Sequence, residues 1–106
     1  MFVPSLGKLP APVLSADSAS PVVAVGSDLI FTCASSIDTS NSNLEVKFLH
    51  NNLLFKHDVV DYWISSPVRR SFSGTYTCIV IIDGVESEPS NDYVLTVSGE
   101  FSILFF

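Results

Sequence analysis

The residues best equipped for chemistry in this chain are two cysteines, Cys33 and Cys78, two histidines, His50 and His57, and an acidic group of Asp83, Glu86 and Glu88. A zinc ribbon or finger needs closely spaced ligands; there is no Cys-x-x-Cys, and neither histidine stands at finger spacing from a cysteine. A hydrolase needs a nucleophile beside a base and an orienting carboxylate. His57 and Asp58 offer the last two only as chain neighbours, whose side chains point apart on a strand. No Gly-x-Ser-x-Gly turn and no glycine-rich phosphate loop occurs. The acidic group matches no calcium-loop spacing and reads as a solvated turn. These residues therefore predict no enzyme, no metal, no cofactor and no small-molecule substrate.

What remains is the cysteine pair, and the surrounding pattern says how it is held. Val, Ile, Phe, Tyr and Thr gather in short runs broken by Ser, Asn, Asp, Gly and Pro, with no long 3.6-residue apolar period, which predicts an all-β chain. Strands are expected near 13–16, 22–25, 28–34, 44–50, 53–56, 60–65, 74–82 and 93–98, and this density of seven or eight short strands predicts a sandwich. Gly26-Ser27, Asn51-Asn52 and Asp83-Gly84 supply turns; the last is expected to link the final two strands, with Pro89 where the final strand is interrupted. Alternation places Leu29, Phe31 and Cys33 on one side of their strand, and Tyr76, Cys78 and Val80 on one side of theirs, so both cysteines face one core. They stand 45 positions apart, and a disulfide closing such a loop removes about 4 kcal/mol of unfolded-chain entropy. The rival is a pair of buried free thiols in a reducing compartment.

A length of 106 residues fits one domain. The net charge of -6 argues against a nucleic-acid partner. The only adjacent cations are Arg69 and Arg70, near the turn before the seventh strand and open to an acidic partner. Charged residues are 15% of the chain and apolar ones 47%, which excludes disorder and suggests a surface partly covered by a partner. No stretch approaches the roughly 18 apolar residues of a membrane span. Residues 1–11 read as an extension or linker, 12–98 as the domain, and 99–106 as an apolar tail. Met1 to Pro10 lack the features of a signal peptide. The expectation is a piece of a longer secreted or membrane receptor, attached to a membrane only through parts of the parent chain not present here.

The segment Ser71-Phe72-Ser73-Gly74-Thr75-Tyr76-Thr77-Cys78 resembles the Asp-Ser-Gly-x-Tyr-x-Cys signature on strand F of the immunoglobulin superfamily, with Tyr76 in the place of the tyrosine corner. Gly26 to Cys33 is similar to the approach to strand B, and Tyr93-Val94-Leu95-Thr96-Val97 to strand G, so the resemblance covers roughly Pro12 to Ser98. Phe72 stands where the family usually has Asp, so the salt bridge typical of variable domains is not expected. Phe48 replaces the usual strand C Trp, as in domains of Fc receptors, Fc receptor-like proteins and platelet endothelial cell adhesion molecule. The resemblance implies an immunoglobulin-like antiparallel β-sandwich of C2 or I type, with too little chain between the cysteines for the extra C′ and C″ strands. It implies a Cys33–Cys78 disulfide, a core containing Phe31, Phe48, Trp63 and Leu95, and an extracellular or cell-surface setting.

A partner-binding face follows from the same alternation. With Tyr76, Cys78 and Val80 inward, Ile79 and Ile81 point outward on strand F, joined by Leu49 on strand C and Val94 on strand G. An apolar patch without an Asn-x-Ser/Thr glycan acceptor is a candidate protein interface. A second candidate is a loop end carrying Asp83, Glu86 and the segment Leu53 to Lys56, a region that in Fc receptors resembles the part gripping antibody. The expected function is an extracellular protein-recognition module of an immune-type or adhesion receptor. Its partner would be an immunoglobulin, another cell-surface protein or a second copy, with homophilic adhesion or a spacer role as alternatives.

Overall fold

The computed structural model describes residues 8–99; most of the expected N-terminal extension and the tail after Gly99 lie outside the described residues. Among the described residues nine strands form: β1 (Val13–Ala16), β2 (Val22–Ala24), β3 (Leu29–Ala34), β4 (Leu44–His50), β5 (Leu53–Asp58), β6 (Tyr62–Ser65), β7 (Gly74–Ile82), β8 (Val85–Glu86) and β9 (Tyr93–Ser98). They build two facing sheets, one ordered β1-β3-β6 and the other β2-β9-β7-β4-β5, with β8 paired to β7. The expected all-β immunoglobulin-like sandwich is therefore present.

Three details differ from expectation. The sheets are not wholly antiparallel, because the chain leaves the first sheet after β1 and lays β2 parallel to β9. Against the reading of the cysteine spacing, a C′-position strand does fit: β5 follows β4 across a two-residue turn and extends its sheet. Asn51 and Asn52 at that turn take φ of 52° and 68°, the left-handed pair that tight hairpins need and asparagine tolerates. Finally, Asp83-Gly84 links β7 to the short β8, not to β9.

Between β8 and β9 the ladder beside β7 is interrupted around Pro89, and two serines satisfy the strand instead. Ser87 Oγ accepts from the Val80 amide at 3.0 Å and Ser90 Oγ from the Cys78 amide at 2.8 Å. Both serines are buried, and without them two buried amides would lack acceptors, which is costly in a core. Leu9 adds a parallel bridge to Ser87, tying the start of the described chain to this interruption.

The core lies between the sheets and contains Leu14, Leu29, Phe31, Val46, Phe48, Val80 and Leu95. Cys33 and Cys78 are joined by a disulfide, with Cα atoms 6.2 Å apart. Trp63 is only half-buried, unlike Phe31, Phe48 and Leu95, because among the described residues β6 is an edge strand with a neighbour on one side alone.

The start of β7 is sterically closed. Gly74 has φ of 142°, and a Cβ there would sit 2.5 Å from His50 Nε2 and 2.6 Å from Asn51 Oδ1; hence the glycine of the signature. Two residues on, the Tyr76 hydroxyl donates to the Phe72 carbonyl at 2.6 Å, fastening the turn before β7 to the strand. Burial pushes the Tyr76 phenol up to about 12, against about 10 in an unfolded chain. Below pH 10 both states keep the proton; between pH 10 and 12 the unfolded state ionises first, so the native protein loses stability there. Tyr76→Phe is expected to cost about 1 kcal/mol at neutral pH, and the gap from wild type to shrink between pH 10 and 12. Urea unfolding at several pH values checks this; a gap constant to pH 12 contradicts it.

Candidate protein-binding face

Register assigns the outward side chains of the five-stranded sheet. Leu54, Leu49 and Thr77 lie in one row across β5, β4 and β7; Thr75 pairs with Val94, and Val22 with Thr96, on the strands beyond. These residues form an uncharged stripe running diagonally from one edge of the sheet to the other. Val22, Leu54 and Val94 are 52%, 53% and 59% exposed, while Leu49 and Ile79 are half-buried.

The ion pairs on this face lie at the opposite end. Lys47 Nζ and Glu86 Oε2 are 3.0 Å apart, and His57 Nε2 lies 2.7 Å from Glu45 Oε1. The Lys47 contact holds the Glu86 carboxyl below the usual carboxylate range, first through the hydrogen bond and then through the opposite charge.

Ile81 corrects the expectation of an exposed aliphatic: it is only 8% exposed. It pairs with Glu45 on one side and Glu86 on the other, so β4 and β8 flank β7, about 9–10 Å apart at ordinary strand spacing. The Lys47–Glu86 pair must therefore bridge across β7, and the lysine's aliphatic stem shields the isoleucines beneath it. The expected four-residue patch is thus divided. Ile81 is covered, and Val94 is level with Thr75, four residues along β7 from Ile79. Val22, Leu54 and the threonines take their place in the stripe, which strand order reveals and alternation within single strands does not.

The second candidate does not come together. The Asp83-Gly84 turn sits at the end of the sheet where Leu44 pairs with Ile82, whereas Leu53 pairs with His50 at the other end. Both acidic candidates also have internal work. Asp83 Oδ1 accepts from the Asn43 amide at 2.9 Å, fixing the entry to β4, and Glu86 holds Lys47. Among the described residues no group of His, Cys, Asp or Glu could hold a metal ion, and no helix is long and apolar enough to cross a membrane.

A further depression opens at the side of the sandwich, between the edge strands β5 and β6. Its volume is about 280 Å³, and it is lined by His50, Phe55, Trp63, Ser71, Phe72 and Tyr76. A bulge creates it. β4 and β5 shift register between Phe48 and Leu49, which leaves Phe55 as the extra residue and turns its ring toward the interior, 4.6 Å from Trp63 and 5.9 Å from Tyr76.

Comparison with known proteins agrees with this architecture. The family model described as "Immunoglobulin domain" matches residues 11–97. The second Ig-C2 domain of human Fc-receptor like A, isoform 9, superposes with a TM-score of 0.70 at 20% identity, covering 86% of this chain and 100% of that one. Murine CEACAM1b superposes with a TM-score of 0.67 at 17% identity, covering 86% of this chain, which spans 46% of the CEACAM1b chain. No curated protein matches by sequence.

Proposed function

The chain belongs to the immunoglobulin domain family, and on that premise we propose that it is an extracellular, non-enzymatic protein-recognition module of an immune-type or adhesion receptor. The observation that carries this reading is the uncharged stripe over β2, β9, β7, β4 and β5. Exposed Val22, Leu54 and Val94 with Thr75, Thr77 and Thr96 give a flat, half-apolar surface of the kind found at the centre of protein interfaces. The chain has no Asn-x-Ser/Thr acceptor, so no N-linked glycan screens the stripe. A disulfide spanning 45 positions suits an oxidising compartment. Fc-receptor like A and CEACAM1b are of the receptor and adhesion kinds, and their likeness makes an immunoglobulin or a second copy the first partners to try.

Self-association has one specific observation in its favour. Two copies of a chain with net charge -6 repel each other, yet Glu45 and Glu86 lie at one end of this face and are engaged with His57 and Lys47, so the stripe lets copies meet largely apolar to apolar. Sedimentation of the full chain over a wide concentration range, beside binding to immobilised immunoglobulin, tests both partners. Val94→Glu places a charge at an exposed position and leaves the core untouched. It is expected to weaken whichever association occurs by tenfold or more, since burying an unpaired carboxylate in an interface costs several kcal/mol. Association unchanged by Val94→Glu and by Leu54→Glu removes the stripe as the site. A monomer that binds no immunoglobulin leaves the spacer role.

A further inference from the structure

Exposed apolar surface is concentrated at one side of the sandwich, next to the end of the stripe that Leu54 forms. Of the ten large hydrophobic residues that stand exposed among the described residues, six lie between positions 53 and 64, on β5, β6 and their connection. The aromatic depression lies in the same place. A second one adjoins it, of about 320 Å³, sharing the walls Trp63, Ser71 and Phe72 and extending past Ser65 to Arg69. Trp63 stands between the two. The result is a groove along the open side of the sandwich, aromatic at one end and bounded at the other by a guanidinium.

We propose that this groove is a docking site for an extended protein segment that adds as a strand to the free edge of β6, places one apolar side chain in the aromatic depression, and presents a carboxylate to Arg69. Three observations choose that occupant. First, among the described residues β6 pairs only with β3, so its outer edge carries backbone groups that an added strand can engage. Secondly, Trp63 pairs with Phe31 and Ser65 with Leu29, all facing inward. An added strand in register therefore turns one side chain toward Trp63 and Phe55, and the next inward one, two residues and about 7 Å away, toward the wall containing Arg69.

Thirdly, charge selects the chemistry. Among the described residues no carboxylate lies within ion-pairing distance of Arg69. Asp28, near that wall, accepts a hydrogen bond from Ser66, and Lys56 on β5 is already paired with Asp58 at 3.3 Å. The guanidinium is the charge left to be met, and an arginine meets a carboxylate by two parallel hydrogen bonds. A volume of 280 Å³ suits a single bulky side chain, being at the small end for a ligand pocket. This site is separate from the stripe and does not depend on the function proposed for it.

Trp63 is the only tryptophan in the chain, so its emission reports occupancy directly. The probes are capped hexapeptides of Ser and Thr carrying one Phe and one Glu two positions before or after it, since the added strand can run either way. Controls replace the Glu by Lys, or the Phe by Ser. With the full chain, one Glu arrangement is expected to give a saturable change in emission, the Lys peptide at least tenfold weaker binding, and the Ser peptide none. Arg69→Glu, on an exposed turn, is expected to reverse the preference in favour of the Lys peptide. No saturable change with either Glu arrangement overturns the proposal, as does binding that is indifferent to the peptide's charge or to Arg69→Glu. Unchanged affinity of Val94→Glu for the peptide is expected, and its loss would place the peptide on the stripe instead.

Discussion

Replacing Cys33 and Cys78 together by alanine is expected to lower the unfolding free energy by about 4 kcal/mol, the loop-closure entropy of a bridge spanning 45 positions. Domains of this size have only about 5–15 kcal/mol in total, so the variant sits near the edge of folding. The bridge joins β3 of one sheet to β7 of the other, and both cysteines are fully buried. Because it acts mainly on the unfolded chain, reducing the wild type should move the urea midpoint in the same direction and by a similar amount. The variant tests the packing contribution separately, since two small cavities replace the sulfurs. Coincident midpoints for oxidised wild type, reduced wild type and the double variant would show that the sheets hold each other without the bridge.

The bridge was legible because both halves of its geometry are local. A period of two around Cys33 and around Cys78 suffices to turn both thiols toward one core, and the serine-glycine-tyrosine segment before Cys78 fixes the register of β7 through Gly74 and the Tyr76 hydroxyl. Such features need only a strand and its own turn. Phe31, Phe48 and Leu95 were legible for the same reason: each sits inward on a strand whose alternation is unbroken.

Features that depend on a third strand were not legible. Ile81 alternates outward as expected, but its cover comes from Lys47 on β4 reaching Glu86 on β8, a contact between residues 39 positions apart that passes over a strand belonging to neither. Phe55 faces inward only because β5 carries one residue more than β4 at the bulge, and the run Leu53-Leu54-Phe55-Lys56 has no glycine to mark it. The parallel pairing of β2 with β9 likewise depends on where the chain crosses between sheets, around Pro21, whose carbonyl accepts from Thr96. The charged pair and the bulge both act on apolar surface: the first lies over Ile81 on the sheet face, and the second turns Phe55 to the open side.

Phe31→Ala should then be the most damaging single truncation in that aromatic system, costing about 3–5 kcal/mol. Phe31 is 1% exposed and its ring lies 4.7 Å from Tyr76, 5.6 Å from Trp63 and 5.5 Å from Tyr93. Each pair adds about 0.5–1.5 kcal/mol beyond area burial, and the shape left by Phe31 is walled by disulfide-linked strands that cannot collapse into it. Trp63→Ala deletes a larger side chain but one already half wet, on an edge strand that can relax, so its cost should be smaller. The groove should respond in the opposite order. Trp63 forms its wall directly, whereas Phe31 only supports that wall from behind, so Phe31→Ala weakens peptide binding less than Trp63→Ala does. Urea unfolding of both variants, with Phe31→Leu as the milder change if the alanine variant does not fold, measures the stability order. Peptide affinity by calorimetry measures the binding order. Finding Trp63→Ala the more destabilising would mean that the open side, with its exposed aromatics, holds the sheets together, and that the groove is part of the core.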